Sequence, residues 1–128
     1  MRDTDDLTRT LDRFVARVPG VRNALVVGSD GLLRASSADL PRASADTAAA
    51  VSTNLLSLAA RSADVLDTGR ASLTMIEMEA GFVFLLALTN GAALVGHSVR
   101  PCDVGHVGYE LAVLADLVDP QRRAATQR

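Results

Sequence analysis

The chain has 128 residues, 48% of them apolar and 22% charged, with a formal net charge of -2, so it is expected to close around one core, and its charge argues against nucleic acid or an anionic membrane, which need a concentrated basic patch. A single cysteine, Cys102, excludes an internal disulfide framework. The acidic start MRDTDDLTRT is the reverse of a signal peptide, and no apolar run reaches the ~20 residues of a membrane helix, so the expected location is the cytoplasm, with any approach to the inner membrane face made through partners.

The first periodic segment covers 4–18. Leu7, Leu11, Phe14, Val15 and Val18 recur at steps of three and four, which puts them on one helical face, with Asp12 and Arg13 towards water. Asp3 or Thr4 is placed to cap the helix, and Pro19-Gly20 stops it.

Strand-like runs at 23–27 and 32–36 follow, joined by Gly28-Ser29-Asp30-Gly31. An apolar run leading into a glycine suggests a phosphate loop, but neither G-x-G-x-x-G nor G-x-x-x-x-G-K-S/T is present, and the chain contains no lysine at all. Asp-Gly between two short apolar runs is instead a hairpin signal, since both central residues of such a turn favour positive φ. The glycine is expected to make a turn and to hold no phosphate.

After Pro41 a long helix is expected over 44–66, capped by Ser44. Val51, Leu55, Leu58, Ser62 and Val65 form one stripe, and Ala48, Ser52, Leu56, Ala59, Ala63 and Leu66 form another; no charge falls between Thr47 and Ala60. A helix lying on one sheet needs one apolar stripe and a charged back. The extra apolar width and the small side chains imply two packing partners, one of them outside the monomer.

Three further strands are expected at 71–78, 82–89 and 92–99, joined by Glu79-Ala80-Gly81 and by the hairpin dipeptide Asn90-Gly91. The middle run, FVFLLAL, is apolar on both faces and belongs in a strand covered on both sides. The last helix, 103–117, has Asp103 in cap position and Val104, Val107, Leu111, Leu114 and Val118 in helical register. Gly105 and Gly108 cost roughly 1 kcal/mol each against alanine and are expected to mark close approach to a neighbour. The resulting fold is a single α/β (α+β) domain over 1–118, ordered αββαβββα, with a five-stranded antiparallel sheet, helices on both faces and a flexible polar tail at 119–128.

This order, the entry RFVARVPGVRNALVVGSDGLLRASS, the alanine-rich second helix and the closing CDVGHVGYEL resemble the roadblock family of dynein-light-chain-like domains that regulate small GTPases. The resemblance runs from about residue 7 to 118 and is closest to the bacterial branch, particularly actinobacterial members encoded beside a Ras-like GTPase and a sensor-kinase-like protein. It implies a homodimer paired through the second helix and the strand after it, with Val51, Leu55, Leu56, Ala59, Ala63, Leu73, Thr74 and Ile76 at the joint. It implies a small Ras-like GTPase as partner, bound without a donated catalytic residue, and a sensor-kinase-like protein as a further one. The polar strip Asn54, Ser57, Arg61 and Asp64 is the candidate partner surface.

Other constellations are weaker. His97, Cys102, Asp103 and His106 cluster in sequence, but the cysteine is alone and the histidines fall on different elements, unlike the ligand pairs of a zinc site. Cys102 with His106 lacks an identifiable oxyanion hole. Glu77 and Glu79 read as charges on an edge strand. Arg61 and Arg70 could serve a GTPase in trans, but read better as surface side chains. The expected protein is therefore a non-enzymatic regulator or scaffold without cofactor or metal, whose dimer Leu55→Asp or Ile76→Asp would break. The alternative is a small-molecule-sensing domain with a cavity between sheet and helices; three Phe, one Tyr and no Trp leave that cavity poor in aromatic anchors.

Overall fold

Leu7, Leu11, Phe14 and Val18 are all buried, and the helix that carries them is α1, Thr4–Arg17. A computed structural model describes residues 3–122. After α1 come β1 (Val21–Val27), β2 (Leu33–Ser36), α2 (Arg42–Leu66), β3 (Leu73–Met78), β4 (Gly81–Ala87), a short 3₁₀ turn at Thr89–Gly91, β5 (Ala93–Val99) and α3 (Val104–Val118). The expected order of elements is the observed one.

The five strands form one antiparallel sheet in the order β2-β1-β5-β4-β3. Alternation along the strands sends side chains to two unequal cores. On one face Ala24, Val26, Phe82, Phe84, Leu86 and Leu94 pack with the stripes of α1 and α3. On the other, Leu25, Val27, Leu85 and Val95 meet Ala45 and Ala49 of α2. Two alanines against the sheet make this second core thin. β4 is covered on both faces, as its unbroken apolar run requires.

The α2 helix has 25 residues, about 37 Å at 1.5 Å per residue, whereas five strands roughly 4.8 Å apart span only about 19 Å. It runs from the end of β2, at one edge, to the start of β3, at the other. Its fully buried residues are Ala45, Ala49 and Ser52, all in its first half. Beyond Ser52 the helix has no fully buried residue.

Several local expectations need correction. The α2 helix starts at Arg42, after Pro41 with φ -57°, so Ser44 lies exposed in the first turn and does not cap it. Asp3 occupies the cap position of α1 without a side-chain bond, whereas Asp103 caps α3 by accepting the His106 amide at 3.1 Å. In the β1–β2 turn only Gly31 is left-handed (φ +81°); Leu32 donates its amide to Asp30 Oδ1 and so belongs to the turn. At the β4–β5 turn both Asn90 (φ 59°) and Gly91 (φ 79°) are left-handed, as the dipeptide requires. Close approach is not what Gly105 and Gly108 provide: a Cβ there would meet nothing nearer than Asp103 Oδ1 at 3.6 Å and Phe84 at 4.0 Å. The tight contact is on the strand, where a Cβ at Gly96 would sit 2.8 Å from Leu111 of α3.

Order also extends past 118. Asp119 is buried and accepts the Thr89 amide and hydroxyl at 2.7 Å each, while Arg122 donates to Asp116 Oδ1 at 2.7 Å and to the Ala87 carbonyl at 3.1 Å. Asp119 and Arg122 are thus bonded to the fold, and the rest of the expected tail, 123–128, lies outside the described residues. No helix among the described residues is long and apolar enough to cross a membrane.

Candidate interaction surface

The outward face of α2 has a regular apolar pattern. Val51, Leu55, Leu58, Ser62 and Val65 follow one another at steps of four, three, four and three, the spacing of a heptad seam. Val51 is 51% exposed, Leu58 61% and Val65 83%, so most of the seam lies in solvent. Leu55 is half-buried and packs on the thin core. The seam continues onto β3, a six-residue edge strand with no neighbour on its outer side among the described residues.

Of the residues expected at a joint, Val51 and Leu73 are exposed, and Leu55, Leu56, Ala59, Ala63, Thr74 and Ile76 are half-buried. Strand alternation splits the β3 members. Thr74 and Ile76 face the α2 side, and Leu73 faces the α3 side beside Leu86, its register partner. Leu55, Leu56 and Ile76 also pack against the thin core, so charging Leu55 or Ile76 would disturb folding along with any joint. Met75 and Met78, which the sequence reading passed over, add exposed apolar surface on β3. Their exposure follows from the strand order, which leaves β3 at the edge of the sheet.

Asn54, Ser57, Arg61 and Asp64 are all exposed on α2. Ser57 and Asp64 also line a cleft of about 600 Å³ between the second half of α2, the Gly28-Ser29 turn and Gly91; Arg70 and Asp67 stand at its rim. The cleft thus carries both signs of charge.

The remaining candidates are dispersed into structural roles. His97, on β5, bonds Asn23 of β1; Cys102 lies 3.6 Å from the Ser98 hydroxyl; Asp103 is the cap of α3. Among the described residues no three His, Cys, Asp or Glu side chains are grouped to hold a metal. Glu77 pairs with Arg100, whose guanidinium also stacks 4.5 Å from the Phe82 ring centre and donates to the Glu79 carbonyl at 3.2 Å. That cluster pins the β3–β4 hairpin to the end of β5.

Comparison with known proteins agrees with this architecture. A crystal structure of a Roadblock/LC7 domain from Streptomyces avermitilis is 28% identical, with a TM-score of 0.83 over 89% of this chain and 95% of that one. A second Streptomyces avermitilis Roadblock/LC7 domain is 33% identical, with a TM-score of 0.70 over 86% and 95%. Myxococcus xanthus MglB shares the fold at 11% identity, with a TM-score of 0.84 over 97% and 92%. No curated protein matches by sequence. The family model for the Roadblock/LC7 domain matches residues 7–96, and the chain belongs to that family.

Proposed function

We propose that the protein is a homodimeric, non-enzymatic regulator or scaffold of a small Ras-like GTPase. The observation that carries this reading is the solvent-facing heptad seam of α2 beside the open edge of β3. Two copies related by a two-fold axis lay the seams together and join the sheets along β3, covering apolar surface that one copy leaves in water. Small residues on α2 let the second backbone approach. The polar strip Asn54, Ser57, Arg61 and Asp64, with the adjoining cleft, then flanks the joint and forms the partner-facing surface.

Regulation follows from differential binding. A dimer that binds one nucleotide state of the GTPase more tightly shifts the population towards that state. A tenfold preference needs only about 1.4 kcal/mol, within reach of a few interface contacts. The chain's own residues supply contact surface and no catalytic group.

The test is affinity capture from native lysate with the full chain as bait, once with a non-hydrolysable GTP analogue and once with GDP. Recovery of a small GTPase in one state only supports regulation, and equal recovery in both states supports a scaffold. Failure to recover any GTPase in either state overturns the reading.

A further inference from the structure

Behind the joint stands a titratable side chain, His97. Asn23 of β1, His97 of β5, Val83 of β4 and Ile76 of β3 are successive register partners. They form one row across the α2 face of the sheet, which ends at its open edge. His97 is thus two strands in from β3, roughly 10 Å at strand spacing. It lines a cavity of about 420 Å³ whose walls include Val51 and Leu55 of α2 and Ile76 and Met78 of β3. Val51 and Met78 are exposed, so a second copy seated on α2 and β3 closes this cavity over the ring.

The ring is held in one orientation. Asn23 Nδ2 donates to Asp39 Oδ1 at 3.3 Å, and Asn23 Oδ1 lies 2.9 Å from His97 Nδ1. A carboxylate only accepts, which fixes the Asn23 amide; its oxygen only accepts in turn, so Nδ1 carries a proton in either charge state. Nε2 is therefore the atom that gains or loses one. It bonds to no other group among the described residues. None of their buried side-chain nitrogens lacks a partner, so Nε2 is open to water in a single copy.

The groups around the ring decide which charge state tolerates closure. Burial, and after it the Arg22 guanidinium, already hold His97 below the usual imidazole value. Asp39 reaches the ring only through the Asn23 amide. The cavity walls on α2, β3 and β4 and the neighbouring Val95 hold no titratable side chain; Ser52 and Asn23 are polar but uncharged. Glu77 lies on the opposite face of β3 and pairs with Arg100, while Arg42 and Asp46 pair with each other at the start of α2. The surface that a second copy brings, the α2 seam with Thr74, Ile76 and Met78, offers no carboxylate to an Nε2 proton.

We propose that the pairing of two copies is proton-linked through His97: the second copy closes over a neutral ring, and acidification drives the dimer apart. This inference rests on the dimer reading above. Two copies cover two rings, so dissociation takes up as many as two protons. The dimer weakens as pH falls through the value of the ring in the single copy, and the effect levels off below the lower value of the ring in the dimer.

The test measures the dissociation constant of the full chain by sedimentation equilibrium at pH 7.5 and 5.5. It should rise about fivefold or more in the unaltered chain and less than about twofold in His97→Gln, whose side chain is neutral at both values. Ring-proton NMR gives a second reading that needs no variant, because the chain has only two histidines. The titration midpoint of His97 should lie lower where the dimer prevails than at dilution, while the exposed His106 keeps one midpoint. An unchanged dissociation constant, an equal response in His97→Gln, or a His97 midpoint independent of concentration overturns the proposal and leaves the dimer standing. A chain that stays single at pH 7.5 at every concentration overturns the dimer reading, and the proton linkage with it.

Discussion

The helices α1 and α2 lie on opposite faces of one sheet and use their apolar side chains in opposite ways. In α1 the stripe from Leu7 to Phe14 is buried, while Asp5, Arg9 and Arg13 face water. In α2 the side chains on the sheet are mainly alanines, and the larger Val51, Leu58 and Val65 point away from it. A helix that only completes a core places its bulk inwards. A helix with small residues inside and bulk outside holds a surface for a second body.

Three experiments break or sharpen that contrast. The largest effect is expected at α1: Phe14→Ala should lower folding stability by about 3–5 kcal/mol, read from urea unfolding, because it opens a cavity in the larger core. On α2, Leu58→Asp should leave the stability of the folded monomer within about 0.5 kcal/mol, as exposed substitutions do, while weakening self-association more than tenfold in a light-scattering dilution series. A variant that stays dimeric at every dilution would remove the seam from the interface. Leu58 separates the two effects better than Leu55 or Ile76, which also pack on the thin core.

The smallest effect concerns His97. Its folded value is depressed, chiefly by burial, so the unfolded chain takes up the proton first as pH falls. The contribution is complete above the unfolded value of about 6.5 and is lost as pH drops from there through the lower folded value. Urea midpoints at pH 7.5 and 5.5 should differ less in His97→Gln than in the unaltered chain. An equal difference in both would assign the acid sensitivity to other groups.

Much of the fold was legible because period and punctuation agree. Steps of three and four mark α1 and α3, and Asn90-Gly91 marks a turn whose left-handed pair is the one observed. The start of α2 misled because Ser44 has the right chemistry for a cap, while Pro41, with its fixed φ, sits at the true boundary. Gly105 and Gly108 misled because a glycine in a helix signals a special position without saying which element comes near; the close approach is at Gly96. The excess apolar width of α2 was visible in the sequence. The exposure of Met75 and Met78 was not, since alternation on a strand says nothing about whether a face is covered. The Asp39–Asn23–His97 chain was equally out of reach: His97 and Asn23 are 74 residues apart and meet only because β5 pairs with β1.

The two edges of the sheet differ, and that difference bears on stoichiometry. β2 has four residues, while β3 has six and carries exposed apolar side chains. Strand addition between unlike edges propagates head to tail and has no natural end, which is the geometry of fibres. When only one edge accepts a strand, two copies consume it in each other and nothing remains to recruit a third. In the proposed dimer the shorter β2 edge would act as a chain terminator, leaving an apolar strand on one side of the molecule without committing the protein to polymerise.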